Sequence, residues 1–564
     1  MRSDDGGDSE RTLLLLAPAL AAIMFVFPLT ISFPLLDPDE GLHASIAQEM
    51  VERGNWTMPE FLGRPFLDKP IFYFWVQAAS LWLFGPSEAA VRLPGLMFGL
   101  LGAITTGLLG WRMCGRTTGL IAGILYSTTI LPTAMAQAAS HDVALIPWVN
   151  LTILLLWAAE RAVTRSAAVG CVLGAGVFLG LALLTKGLLG AAVVGLAYGS
   201  YLLVTWRGSL AILWRGMAVV IIAAVVAAPW YALVEVQNPG YLRYFLLERH
   251  VLGFATGSQP HGDEPWWYYL PVLLGGGLPW ISYLPIVVQN AWAGRRGGAA
   301  MPLLWSWLIG WTLLMLLAGS KLATYVWPVF PAIAVLAATA WTQQIDGTLG
   351  AAARRSFART FVWSSWSGPI VLPAAVLALQ VAFGVRFAWP AWLCVAIVAA
   401  LAPLPLIPWR AGRWRAALAA AALSLAAQFA TVMTMVVPPV AARASARDLA
   451  RHFNQLGQLP PRLLVVEGRV GSLMFYLSPQ LRAGLTADRL QQWAAKELPP
   501  LRPGDVLAVP EHKIAGLHAY HFFDHSPYES VGPYRLYRIT KPLQITRPLQ
   551  ITKPRPKVAP GGDP

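Results

Sequence analysis

The chain has 564 residues, 56% of them hydrophobic and only 12% charged, which excludes an ordinary soluble domain and indicates a polytopic membrane protein. Its net charge of +14 would suit nucleic acid, but most of the excess sits in short loops between apolar runs, where anionic lipid is the expected partner. No nucleic-acid partner is expected. The three cysteines, Cys114, Cys171 and Cys394, fall in or beside apolar runs and offer neither a disulfide framework nor a metal-binding cluster.

Runs of about 17–25 apolar residues are long enough to cross a bilayer. They recur near 12–35, 89–111, 117–134, 143–160, 166–184, 187–206, 216–234, 268–289, 302–318, 323–342, 361–384, 388–408 and 416–437. That gives thirteen spans, or twelve where neighbours abut through very short turns. The first run lacks a small-residue cleavage site, so a retained helix is expected rather than a removed signal peptide.

Arginines gather in alternate short turns: Arg112 and Arg116, Arg161 and Arg165, Arg207 and Arg215, Arg295 and Arg296, Arg354, Arg355 and Arg359, then Arg410, Arg413 and Arg415. By the positive-inside rule these turns face the cytoplasm. The loop 36–88, the loop 235–267 and everything after the last span then face outward. The expected fold is an α-helical polytopic membrane protein of about 12–13 transmembrane helices (1–438) with interfacial helices in its outer loops. A small C-terminal α/β domain (439–540) follows, then a basic, proline-punctuated tail (541–564) expected to be extended. Within the small domain, "ARDLARHFNQLG" reads as a helix, "RLLVVEG" and "DVLAVP" as buried strands, "TADRLQQWAAKEL" as a helix capped at Thr486, and "YRLYRIT" as a final strand.

Chemistry concentrates in the outer segments. In "LDPDEGLHASIAQEM", Asp37 can cap a helix whose first turn holds Asp39 and Glu40, since anions are favoured there. The same acids can serve function instead, and Asp39 shares a helical face with His43 at i, i+4. Asp142 in "QAASHDVALIP" carries the same two readings, a helix cap or an ionisable group placed at membrane depth for a purpose. In "FLDKPIFYFW", Lys69 either pairs with Asp68 and snorkels, or meets a phosphate as a point charge. Lys186, Lys321, Arg243 and Arg249 are further outward cations, where the positive-inside rule disfavours them. His250 and His261 lack the spacing of a metal motif.

The ordered set Asp39–Glu40, "DKP" at 68–70, Asp142, "TKG" at 185–187 and "SKLATYVWPVFP" at 320–331 resembles the GT-C superfamily of polyprenyl-phosphate-sugar glycosyltransferases. The resemblance covers about residues 12–345 and is strongest to the branch of protein mannosyltransferases and bacterial undecaprenyl-phosphate aminoarabinose:lipid A transferases. It implies a GT-C fold in the bacterial inner membrane. The implied enzyme inverts configuration as it moves 4-amino-4-deoxy-L-arabinose from undecaprenyl phosphate to lipid A phosphate on the periplasmic face. Asp39, with Glu40 beside it, would be the main catalytic carboxylate and Asp142 the second acid. Lys69 would lie near the donor phosphate, with Lys186, Lys321, Arg243, Arg249 and Tyr325 completing the phosphate-binding set. The resemblance also allows a divalent metal, for which Asp68 or His250 would be ligands. The chain departs from the pattern at Leu42 and His43, where Arg and Tyr are common, and at Asp68, where Glu is common. A transferase of another polyprenyl-linked sugar and a lipid-linked sugar transporter are the alternatives, though no internal repeat of the span pattern favours the second.

Overall fold

Every apolar run expected to span has a helix in the computed structural model, which describes residues 5–252, 264–292, 298–494, 497–514 and 527–541. Among the described residues ten helices are long and apolar enough to cross a membrane. Two bent pairs, Arg116–Ser127 with Ile130–Ala136 (63°) and Tyr269–Gly276 with Trp280–Trp292 (95°), raise the number to twelve. The ninth expected run is the shorter apolar helix Met301–Leu317, of 17 residues. The first bend has a local cause. Hydroxyls of Ser127, Thr128 and Thr129 bond back to the carbonyls of Ile124 and Leu125 at 3.0, 2.8 and 2.6 Å, drawing those carbonyls off the helical ladder just ahead of Pro132.

The chain divides into two compact units, Met1–Pro34 with His43–Ala441, and Leu35–Leu42 with Ala442–Pro564. In the first, the alanine-rich helix Phe330–Ile345 forms the centre, with Ala332, Ala337, Ala338 and Ala340 wholly buried. Small side chains let neighbouring helices approach where lipid gives no hydrophobic drive. The buried Asn150 amide donates to Thr105 and Thr106 at 3.0 and 3.2 Å. Helix Ala351–Phe383, by contrast, leaves Trp363, Ile370 and Val381 exposed, as a lipid-facing surface requires.

The loop 36–88 holds helix Asp39–Arg53, a hairpin of β1 (Glu60–Phe61) and β2 (Arg64–Pro65), and helix Phe72–Phe84. The hairpin tip is fixed by Glu49, which accepts from the amides of Leu62 (3.1 Å) and Gly63 (2.9 Å). Gly63 takes φ +71°, a value glycine adopts without strain.

The second unit is built on a five-stranded sheet of order β4-β3-β5-β7-β6, from β3 (Leu463–Val466), β4 (Leu490–Trp493), β5 (Val506–Pro510), β6 (Glu529–Val531) and β7 (Tyr534–Arg538). Strands β3, β4 and β5 run parallel, and β7 pairs antiparallel with β5 and β6. Within the segment read as a helix from Thr486, Leu490–Trp493 is in fact β4. Thr486 instead caps a turn whose carbonyl accepts from Arg489 and Leu490, and Leu490 then enters register with Leu463. Parallel pairing along an open sheet edge outweighs a helical pattern that is only local. The tail beyond Lys541 and His261 lie outside the described residues.

Candidate active site

Four separated stretches meet at one cleft in the first unit. A cavity of about 100 Å³ is lined by Asp68, Lys69, Pro70, Lys186, Leu189, Phe245, Arg249, His250, Met315, Ser320 and Tyr325. The expected "DKP", "TKG" and "SKLATY" motifs all contribute, together with the segment Arg243–Leu252.

Each side chain is delivered by a local device. Asp68 and Lys69 leave the hairpin that Glu49 anchors, and helix Phe72–Phe84 starts just past Pro70. Lys186 ends helix Arg165–Lys186, where Gly187 takes φ +64°. A side chain at 187 would meet Phe245 and His250 at 2.8–2.9 Å, so glycine is required for the segment that bears them to pack on the lysine. That segment forms a π-helical turn, Arg243–Leu252. Its i→i+5 winding lets both Tyr244 and Arg249 reach Asp68, at 3.2 and 2.8 Å, and lets the His250 ring reach the Phe245 carbonyl at 2.6 Å. Tyr325 comes from the 3-10 turn Ala323–Val329 and lies under the Lys186 ammonium, 4.9 Å from ring centre to nitrogen.

The ambiguity over Asp142 is settled by its neighbour. Ser140 is the N-cap of helix His141–Glu160, so Asp142 does not serve as the cap. Its carboxylate forms an ion pair with Lys186 and accepts from the Ser140 hydroxyl at 3.1 Å. The adjacent His141 is enclosed by the rings of His43, Tyr73 and Phe74, 4.6–4.8 Å away. The cleft thus gathers three cations, Lys69, Lys186 and Arg249, and two carboxylates, Asp68 and Asp142. Burial holds the His250 imidazole below its ordinary pKa against the raising effect of its bonds to backbone, and burial with the Asp68 charge raises the Tyr244 phenol.

Not every expected cation is here. Arg243 is exposed and pairs with Glu248 at 3.4 Å. Lys321 is buried beside the cleft-lining Ser320, and its ammonium donates to the Ala318 carbonyl at 2.5 Å. The Asp68–His250 pair does not fit a metal. Asp68 is engaged by Arg249 and Tyr244, and the His250 ring bonds the carbonyls of Phe245 and Lys186. Among the described residues no three His, Cys, Asp or Glu side chains are grouped to hold an ion.

Asp39 and Glu40 belong to the second unit and differ sharply. Asp39 is exposed at the first turn of its helix, whereas Glu40 is buried and reaches back to accept from the Leu36 amide at 2.8 Å. Asp37 is held by Ser472, through the backbone amide at 3.0 Å and the hydroxyl, while the Leu35 amide donates to the Tyr476 hydroxyl at 2.9 Å. The segment bearing Asp39 is therefore seated on the small domain. Sequence reasoning missed this clamp, and missed Tyr244, Ser320 and Arg92. The buried Arg92 holds the chain as it leaves the first span, donating to the carbonyls of Phe33 and Pro34, both at 3.0 Å. Only the π-helical spacing from Tyr244 to Arg249 could have hinted at the first of them.

Fold and cleft together define a class, that of multi-pass helical membrane proteins with a charged cleft among their helices and a small α/β unit. Two solved structures carry the point: ArnT from Cupriavidus metallidurans bound to undecaprenyl phosphate superposes with a TM-score of 0.73 at 23% identity, over 93% of this chain and 97% of that one. The apo form gives 0.71 over the same shares. A family profile described as dolichyl-phosphate-mannose-protein mannosyltransferase matches residues 68–232.

In sequence the chain is similar to the undecaprenyl phosphate-alpha-4-amino-4-deoxy-L-arabinose arabinosyl transferase of Erwinia tasmaniensis, at 33% identity over 56% of this chain and 57% of that protein. The same-named protein of Pectobacterium carotovorum is 31% identical over 64% of each chain. The chain thus aligns with about three-fifths of the length of these relatives. The GT-C fold expected from the order of motifs is the fold observed.

Proposed function

We propose that this protein is an inverting glycosyltransferase of the inner membrane. It moves 4-amino-4-deoxy-L-arabinose from undecaprenyl phosphate to a phosphate of lipid A at the periplasmic face. The observation that carries the reading is the cleft in which Lys69, Lys186 and Arg249 converge with Asp68 and Asp142. The names of the relatives supply the sugar and the donor lipid.

The chemistry matches those side chains. A phosphate monoester has a second pKa of about 6, so a lipid A phosphate is already an anionic nucleophile near neutrality and needs no strong base. The harder tasks are to hold two anionic lipids together and to stabilise the leaving phosphate. As the acceptor oxygen bonds to the anomeric carbon, the bond from that carbon to the undecaprenyl phosphate oxygen breaks, and its electron pair goes to the departing phosphate. Lys69, Lys186 and Arg249 neutralise that charge. Asp142 and Asp68 keep Lys186 and Arg249 in place through their ion pairs. Asp39 is the carboxylate assigned to the sugar, where it steadies positive charge at the anomeric centre. One in-line displacement inverts configuration.

Mass spectrometry of lipid A from cells with and without the protein tests this. The expected result is an added aminopentose that vanishes with Asp39→Asn or Asp142→Asn while each variant still inserts. Unchanged lipid A with a different glycan altered would point to another acceptor and overturn the assignment.

A further inference from the structure

The end of the helical bundle remote from the cleft carries a second constellation. Asp142 and Glu160 stand near the two ends of helix His141–Glu160, about 27 Å apart at 1.5 Å per residue. That separation is nearly the thickness of the hydrocarbon core. Glu160 accepts from the hydroxyls of Tyr198 and Tyr201 and is flanked by Arg161 at 3.2 Å and Arg207 at 3.7 Å. Arg215 donates to the Ala159 carbonyl at 2.9 Å. Two guanidinium groups thus flank one carboxylate and a third is held at the neighbouring carbonyl, so the excess charge is positive.

Beside this cluster lies an apolar cavity of about 320 Å³ between helices Arg165–Lys186, Leu188–Thr205 and Leu210–Gln237. Its walls include Leu179, Val194 and Val219, with Glu160 and Arg215 at the polar end. Gly195, Gly199 and Gly216 also line it, and a side chain at any of them would meet nothing within 4 Å. At Gly176 and Gly180, by contrast, glycine marks close approach, for a Cβ there would strike Ile222 and Val226 at 2.5–2.6 Å. Glycine inside a helix costs about 1 kcal/mol relative to alanine. At 195, 199 and 216 that cost is not offset by helix contact. It leaves room.

We propose that this cavity is a binding site for an anionic phospholipid of the opposite leaflet. One acyl chain lies along the glycine-lined wall, and the phosphate faces Arg207 and Arg215. Basic pockets between transmembrane helices are suited to such headgroups, and the positive excess around Glu160 selects against zwitterionic ones. The proposal does not depend on the transferase reading, because the site lies about 27 Å from the cleft along one helix.

The test is native mass spectrometry of the purified full-length protein, titrated with phosphatidylglycerol or with phosphatidylcholine. The expected result is retention of one phosphatidylglycerol with at least about tenfold preference over phosphatidylcholine. Gly195→Leu with Gly199→Leu, which fills the cavity, should abolish retention while undecaprenyl phosphate binding at the cleft persists. Should that variant fail to fold, Arg207→Ala with Arg215→Ala, at the rim, should still erase the preference between the two lipids. Equal retention of both lipids by the wild type, or phosphatidylglycerol retention unchanged in the folded variants, would overturn the proposal.

Discussion

Lys186 is buried at the cleft, and its ammonium is balanced by Asp142, whose side chain is 15% exposed against 9% for the lysine. Removing one partner of such a pair costs about 3–5 kcal/mol, because the other charge is left buried, while replacing both by apolar groups is far cheaper. Asp142→Asn alone should therefore lower the melting temperature, and adding Lys186→Met should restore most of it without restoring transfer. Melting curves and turnover on the two variants check this, and recovery of turnover in the double variant would remove the pair from the mechanism.

Asp37 behaves differently. It is partly exposed as a residue, but its carboxyl group is enclosed, and burial pushes its pKa up to about 7 against the lowering effect of the Ser472 bonds. The folded state then holds this proton more tightly than the unfolded chain, whose carboxyl titrates near 3.8. Its contribution to stability is full below that value and is lost as pH rises through about 7. Wild type should lose more melting temperature than Asp37→Asn between about pH 5 and about pH 8, a difference that disappears if the carboxyl titrates normally. None of this was legible beforehand. The acids of "DPDEG" could be read as caps or as catalysts, but the residue that distinguishes them, Ser472, lies 435 positions away.

At the scale of elements, the decisive contacts are close approaches of backbone. A side chain at Gly41 would meet the Ser472 amide nitrogen and an Asp37 oxygen at 2.4 Å, and one at Gly471 would meet the Leu42 nitrogen at 2.4 Å. Neither neighbour can yield cheaply. Gly41→Ala should thus pry the Asp39 segment from the small domain and cut turnover at least about tenfold, with undecaprenyl phosphate affinity at the cleft retained; turnover equal to wild type would show that the clamp does not position Asp39. The elements themselves were largely readable. Among the described residues each expected apolar run coincides with a helix, ten of them long enough to span and up to twelve with the bent pairs, since a period of 3.6 and a length of about 20 are strong signals. The failures were short. Leu490–Trp493 carries a helical pattern, yet a parallel neighbour makes it a strand, and the π-helical turn Arg243–Leu252 follows a period that helical templates do not sample.

For the whole molecule, charge is sorted by place as well as by sign. Arg112, Arg161, Arg207 and Arg215 lie at one set of helix ends, while Lys69, Lys186 and Arg249 meet at a cleft fed by the opposite ends of the spans. The cleft was legible because its cations break the positive-inside pattern and so need a local reason. Which of them converge was not legible: Arg243 and Arg249 look alike in sequence, but Arg249 bonds Asp68 at the cleft while Arg243 faces solvent with Glu248. That contrast supplies an internal control. The most direct measurement is the affinity of the purified protein in nanodiscs for undecaprenyl phosphate. Lys69→Ala and Arg249→Ala should each weaken binding at least about tenfold, some 1.4 kcal/mol or more, while Arg243→Ala binds as wild type does. Wild-type affinity in both cleft variants, or an equal loss with Arg243→Ala, would contradict the assignment of this cleft to the donor phosphate.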